Sequence, residues 1–357
     1  MHGTQMQRPK TKTHDALSSR INRGLLIAVP LLLLVNGVIW SLYAMNAESQ
    51  RKQWQLQATL TLDSVLVTID RLRNDLFGDL RLLADNPYLK QTVDEATESH
   101  LRSLASQWEV FSAVKRHYDQ IRWIDETGME RLRVDLTSNG AKRLSDDQLQ
   151  DKSNRYYVQA ALTYPIGQIY ASPIDLNQEH GVLEHPFKPM LRLVMPLANS
   201  QGERRGLLTL NVRADEILDD LERHAHVSQG RLLLVDHMGY YLRGFNKDQA
   251  WGNMLEEGDD AYHRFDRTYP SAWREMVRKG AGQIRDEAGL FIYRTIKYGR
   301  GGFENRYFLV MALLPEELEA ETGEMIKSGW TISLLVSILL TFMAFYTALR
   351  CHPRQTD

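Results

Sequence analysis

Residues 117–136 read HYDQIRWIDETGMERLRVDL, two β-rich runs on either side of Asp125-Glu126-Thr127-Gly128. A turn-forming tetrapeptide between such runs predicts an antiparallel hairpin. In the first run Ile121, Trp123 and Ile124 alternate imperfectly; in the second, Leu132 and Val134 lie opposite Arg131 and Arg133. Working outward, a helix is expected over 93–113, ending near His117, and a short one at SNRYYVQAAL (153–162). The latter leads through Tyr164-Pro165-Ile166-Gly167 into a strand at GQIYASPIDL (167–176). Two further strands, MLRLVMPLAN (190–199) and RRGLLTLNVR (204–213), are joined at Ser200-Gln201-Gly202. Helix, hairpin, helix and three antiparallel strands make an α+β unit.

The pattern then recurs in compact form. After a short helix over 214–226, GRLLLVDHMGYYLRG (230–244) is a second hairpin, turning at Asp236-His237-Met238-Gly239. AGLFIYRTIKY (288–298) and RYFLVMALL (306–314) are strand-like, with a turn at Gly299, Gly301 and Gly302. Upstream of both units, Leu62, Val65, Ile69, Leu72, Leu76 and Leu83 recur at three- and four-residue steps, widened by Leu66 and Leu80. This near-heptad pattern predicts a long helix over 46–84, either packed on its own domain or forming a dimer seam. Asp85-Asn86-Pro87 is expected to break it.

Two apolar runs bracket this polar middle. GLLIAVPLLLLVNGVIWSLYAM (24–45) and GWTISLLVSILLTFMAFYTAL (329–349) carry no charged residue. Each has roughly the twenty residues that a helix needs to cross a bilayer. Arg8, Lys10, Lys12, Arg20 and Arg23 precede the first, Arg350 and Arg354 end the second, and the acidic EELEAETGEM (316–325) leads into it. Positive charge marks the cytoplasmic side, so both tails are expected there, with about 46–328 outside. The first run is too long for an ordinary cleaved signal peptide. The expected layout is a cytoplasmic tail (1–23), a transmembrane helix (24–45), the long helix (46–84) and a membrane-distal module (85–213). A membrane-proximal module (214–314), a return helix (315–328), a second transmembrane helix (329–349) and a tail (350–357) complete it. The single cysteine, Cys351, falls in that last tail, so the outer segment has no disulfide and must rely on its core. A net charge of −2 gives no reason to expect nucleic acid.

The chain resembles the double Cache sensors, paired PAS-like extracytoplasmic domains on bacterial histidine kinases, diguanylate cyclases and chemoreceptors. The blocks carrying the resemblance are YDQIRWIDETGMERLRVD (118–135), LQDKSNRYYVQAAL (149–162), GQIYASPIDLNQEHGVLEHP (167–186) and GERRGLLTLNV (202–212). The resemblance implies two PAS-like antiparallel-sheet modules in series, a distal ligand module, and homodimers formed through the long helix. Amino-acid-binding members carry an Arg-x-Trp-Tyr-x-x-Ala signature. Aligning Tyr157 and Ala160 with its end puts Tyr156 at the Trp position and Asn154 at the Arg position, with Arg155 displaced by one residue, about 100° around a helix. Amino-acid specificity is therefore not carried over. Relatives place an output domain after the second membrane helix, whereas here RCHPRQTD (350–357) follows. A sensor working through a separate effector, such as a histidine kinase or diguanylate cyclase, is expected; a truncated remnant is the alternative.

The expected ligand site is Arg122, Arg155, Tyr156, Tyr157, Tyr170, Ser172, Asp175 and Arg192. Guanidinium groups offer paired donors to a carboxylate or phosphate, tyrosines a face and a hydroxyl, and Asp175 an acceptor for an amine. A small anionic or zwitterionic molecule suits this set. Strand arginines can also simply face solvent, and Trp123 competes with Arg122 for the inward face. His180, His185, His224, His226, His237 and His263 lack zinc-motif spacing. Asp175, Glu179, Glu184 and His185 form an acidic loop that could hold a divalent cation but reads more simply as solvated, so no metal or cofactor is expected. No nucleophile elbow, phosphate loop or His-Glu-x-x-His motif occurs, which argues against an enzyme. A second class of function is an envelope scaffold resembling polysaccharide chain-length regulators. Those favour long coiled coils and a proline-rich second span, unlike this hairpin-rich, proline-free pattern.

Overall fold

A computed structural model describes residues 12–225, 230–255, 261–298 and 305–350. It divides into two compact units, one combining α1 as far as Leu56 with α8, the other comprising residues 57–314. Helix α1 (Lys12–Ala84) continues from the first apolar run through the predicted long helix, and α8 (Pro315–Arg350) fuses the return helix with the second run. Both contain windows long and apolar enough to cross a membrane.

In the first unit, Asn36 joins the two helices. Its Nδ2 donates to Ser337 Oγ (3.1 Å) and its Oδ1 accepts from Ser333 Oγ. Toward the outer end, Trp40 meets Trp330 edge-on at 5.2 Å, and Gly329 lies against the Tyr43 ring.

In the second unit, Asn86-Pro87 ends α1 and at once starts α2 (Pro87–Asp94). Asn86 caps it by accepting from Tyr88 N at 2.8 Å, and proline suits the first helical turn. The expected 93–113 helix is thus replaced by α2 and a later α3 (Glu98–Lys115), capped by Thr97. The first sheet contains β1 (Tyr118–Ile124), β2 (Glu130–Thr137) and β3 (Gly140–Arg143), followed by α4 (Tyr156–Leu162). Pro173 interrupts the strand expected over 167–176, leaving β4 (Tyr170–Ala171) and β5 (Asp175–Leu176). A small hairpin, β6 (Gln178–Glu179) with β7 (Val182–Leu183), precedes β8 (Pro189–Ala198) and β9 (Arg204–Arg213). The sheet order is β3-β2-β1-β9-β8-β4, with β5 also on β8, and all pairings are antiparallel.

One face of this sheet packs Ile121, Trp123, Leu132, Val134, Leu193 and Leu210 against Leu76, Leu80 and Leu83 of α1 and Leu104 and Trp108 of α3. Full burial of each aliphatic side chain is worth about 1.5–3 kcal/mol, so this face anchors the sheet to the long helix. Gly206 (φ 99°) lets β9 close on β1: a Cβ there would come within 2.0 Å of Ile124 O.

Helix α5 (Ala214–His224) leads to the second sheet, which contains β10 (Arg231–Asp236) and β11 (Tyr241–Arg243). Helices α6 (Phe265–Thr268) and α7 (Pro270–Lys279) follow, then β12 (Ala281–Asp286), β13 (Gly289–Tyr298) and β14 (Asn305–Leu313). Its order is β11-β10-β14-β13-β12, again antiparallel. The predicted glycine turn at 299–302 lies outside the described residues, as does His226.

The two hairpins share one turn chemistry. Asp125 Oδ1 accepts from Thr127 N (2.9 Å) and Met129 N (3.0 Å). Asp236 Oδ1 accepts from Met238 N and Tyr240 N, both at 2.9 Å. A glycine with positive φ, Gly128 or Gly239, completes each turn.

Candidate functional site

Side chains alternate across a strand, so every residue next to an apolar-face residue points the other way. On the first sheet those residues are Gln120 and Arg122 (β1), Arg133 and Asp135 (β2), Arg192 (β8), and Thr209 and Asn211 (β9). The register places Arg122 beside Arg133 and Thr209, and Arg192 beside Asn211. This second face is also covered. Arg122 is 2% exposed and Arg192 1%, with Arg133, Asn211 and Thr209 buried too. Trp123 and Arg122 therefore do not compete for one interior: each occupies a different buried face.

The cover consists of α4 and the segment from Ser172 to Pro189. Arg122 donates to Tyr157 Oη at 3.1 Å and to Gln120 Oε1, and its Nε lies 3.1 Å from Glu130 Oε1. That last contact is too far off line for a hydrogen bond, leaving both atoms without a hydrogen-bond partner. Arg192 pairs with Asp175 and donates to Asn177 Oδ1 (3.1 Å), while its guanidinium sits 5.1 Å from the Tyr157 ring centre. Glu179 is the hub of the other half, reaching Arg133 (3.2 Å), Arg122 (3.5 Å), Lys152 (3.5 Å), Gln120 (3.0 Å) and Gln150 (3.0 Å).

Four cations, Arg122, Arg133, Lys152 and Arg192, thus face four carboxylates, Glu130, Asp135, Asp175 and Glu179. Burial alone would raise the Glu179 carboxyl, but Arg122 and Arg133 outweigh it and hold the group well below the usual carboxylate range. Lys152 is pushed down to about 8, by burial first and then by repulsion from Arg122. Thr209 Oγ1 and Asn211 Oδ1, both buried on this face, have no hydrogen-bond partner among the described residues. Such orphaned acceptors are rare away from sites that take a ligand or water.

The sequence-predicted residues divide into two groups. Arg122, Tyr156, Tyr157, Asp175 and Arg192 come together: Tyr156 Oη donates to Asp175 Oδ2 at 2.6 Å and stacks edge-on with Tyr157. Arg155 is the N-cap of α4, not a helical residue, so the 100° displacement does not apply to it. It donates to Gln178 Oε1 at 2.6 Å, at the margin of the cluster. Ser172 donates to Pro173 O and accepts from Arg192 N, and its hydroxyl also meets that of Tyr156. Tyr170 packs edge-on against Tyr164 in an apolar cluster, and burial pushes its hydroxyl up to about 12. The acidic loop is spread over cations, with Glu184 on Lys188 at 2.6 Å. Among the described residues no three His, Cys, Asp or Glu side chains are grouped to hold a metal.

Sequence reading passed over Gln120, Glu130, Arg133, Lys152, Asn177, Thr209 and Asn211, and treated Glu179 as a surface acid. The signal was available in β9, LLTLNVR, where Thr209 and Asn211 interrupt an apolar strand at alternate positions.

The covering segment also touches the part of the chain that carries the second sheet. Ile174 N donates to Tyr307 Oη at 2.8 Å, and Leu176 N approaches Met254 Sδ at 3.1 Å. Of the two residues flanking Asp175, Ile174 is thus tied to β14 of the second sheet and Leu176 to the turn at Gly252–Met254 that follows β11.

Comparisons with known proteins agree with this architecture. A domain of a putative sensory box/GGDEF family protein from Vibrio parahaemolyticus has a TM-score of 0.65 at 25% identity, over 77% of this chain and 99% of that one. The extracellular domain of a putative histidine kinase, vpHK1S-Z8, has a TM-score of 0.65 at 24% identity, over 79% and 99% respectively. No curated relative matches the sequence at significant similarity. The family model described as the sensor domain of bacterial histidine kinases matches residues 67–310, well over half of the chain. With its long helix, paired antiparallel sheets and two membrane-length apolar helices, the chain belongs to the bacterial histidine kinase sensor domain family.

Proposed function

We propose that this chain is an inner-membrane receptor that binds a small zwitterionic or anionic molecule on the polar face of its first sheet. The observation carrying this reading is the buried charge cluster. Burying guanidinium groups is costly, and a hydrophobic face of equal volume would stabilise the fold as well or better. Four balanced charge pairs beside two orphaned acceptors suit a ligand that brings charges of both signs. Its carboxylate would take the guanidiniums of Arg122 and Arg192. Its ammonium would take Asp175 or Glu179, with Thr209 and Asn211 completing the polar contacts.

In this reading Asp175 and Glu179 occupy the arginines until a ligand displaces them. Displacement would move the segment from Ser172 to Pro189, and with it the ties from Ile174 and Leu176 to Tyr307 and Met254. A ligand can drive such a change only by as much as it prefers the moved arrangement. We read residues 85–213 as the distal module and 214–314 as the proximal one, with both tails cytoplasmic. The chain would act as a homodimer, and its output would be read by a separate kinase or cyclase.

The test is a thermal-shift screen of the purified full chain against small carboxylates, amines and zwitterions. A ligand at 100 times its dissociation constant stabilises by about 2.7 kcal/mol. The expected hit disappears in Arg192→Met and Asp175→Asn. A hit unaffected by either change places the ligand elsewhere and overturns the assignment.

A further inference from the structure

A cavity lies on the opposite side of β8 from the polar face. Its volume is about 100 Å³, and nearly all of its lining is carbon. Leu72 of α1, Leu191 of β8, Ile174, Leu218 of α5, Leu234 of β10 and Ile296 of β13 all contribute, so both sheets and the long helix share it. Of its polar lining residues, Arg73 pairs with Asp70 at 3.0 Å and Tyr307 Oη accepts from Ile174 N; Lys297 is at the exposed edge.

We infer that this cavity is a binding site for a small neutral apolar molecule, a single ring or a short branched alkyl group. Aliphatic cavities of about 150 Å³ stay dry and take up benzene-sized molecules, and this one is of the same order. A charged ligand would lose its hydration against a lining that is nearly all carbon, with Lys297 only at the exposed edge. The site is separate from the polar face yet one strand away from it. Along β8, Leu191 and Leu193 line the cavity while Arg192 between them reaches Asp175 on the other side. Along the covering segment, Ile174 lines the cavity and Asp175 holds the arginine. An occupant would brace the same backbone that carries the charge cluster. The inference rests on the cavity alone and stands or falls independently of the polar-face ligand.

The experiment measures thermal unfolding of the full chain in lipid nanodiscs, with and without toluene, for wild type and two cavity-filling variants. Ala171→Leu fills from the first sheet and Ile296→Phe from the second, so if one folds poorly the other remains the comparison. At about ten times its dissociation constant, toluene is expected to raise the wild-type midpoint by about 3 °C relative to the filled variants. An equal change in all three chains would mean that toluene acts through the lipid, and would overturn the site. An equal rise with benzoate would overturn the assignment to neutral ligands.

Discussion

The two sheets of the outer segment are built alike and finished differently. Each opens with the same Asp-x-x-Gly hairpin, and each is antiparallel throughout. On the second, Tyr241, Phe265, Tyr269, Trp273, Phe291 and Phe308 form a continuous aromatic cluster under α6 and α7. On the first, the covered face carries arginines, acids and amides. Aromatic burial supplies stability without any further partner. Buried guanidiniums hold only while every counter-charge is in place. On the function proposed above, the first sheet is where an outside molecule would replace an inside contact, while the second has an aromatic core that needs no counter-charge.

The sharpest way to break this comparison is Arg122→Met. It strands the wholly buried Glu130 and part of Glu179, and is expected to lower stability by about 3–5 kcal/mol in urea unfolding. Adding Glu130→Met should restore much of the loss. A single-variant cost under about 1 kcal/mol would mean that the pair is not buried in solution.

Lys152 gives the next effect. Its folded value near 8 lies below the ordinary 10.5, so between these pH values the unfolded chain binds more protons and stability rises with pH. The rise is on the order of 3 kcal/mol, measured as the difference from Lys152→Met. A flat difference would sink the assignment. Glu179 works in the opposite range: its lowered value contributes stability above its ordinary 4.5 that is lost as pH falls through and below it, and Glu179→Gln should remove that acid dependence.

In the aromatic core over the second sheet, Phe265→Leu in α6 should cost about 1 kcal/mol. It should leave unchanged the thermal shift produced by any polar-face ligand. A change in that shift would show that the aromatic core also belongs to the recognition site.

Much of the architecture was legible in the sequence because it rests on local chemistry. The Asp125–Gly128 and Asp236–Gly239 turns, the apolar periodicity of α1 and the runs of β8, β9, β13 and β14 all announce themselves within a few residues. The short edge strands β3 and β12 did not, although each pairs with its immediate neighbour in sequence, because neither carries a run of β-branched or aromatic residues. The candidate site was half legible for the same reason. Arg122, Tyr157, Asp175 and Arg192 stand out by residue type, whereas Glu130, Lys152 and Glu179 look like surface charges until the segment from Ser172 to Pro189 folds over them. That Arg122 and Trp123 are both interior follows only once both faces of the sheet are seen to be covered.

The contact of Asn36 with Ser333 and Ser337 has a mechanical corollary. Gly329, Ser333, Ser337 and Thr341 repeat every four residues along α8, forming a row of small and hydroxyl-bearing positions at one-turn intervals. A slide of α8 by four residues, about 6 Å, would exchange the Ser333–Ser337 pair for Ser337 and Thr341. The amide would find two hydroxyls in either register, while at intermediate positions it would keep only its bond from Nδ2 to Leu32 O, 2.8 Å away on its own helix. The two apolar helices thus carry the parts of a ratchet with discrete stops.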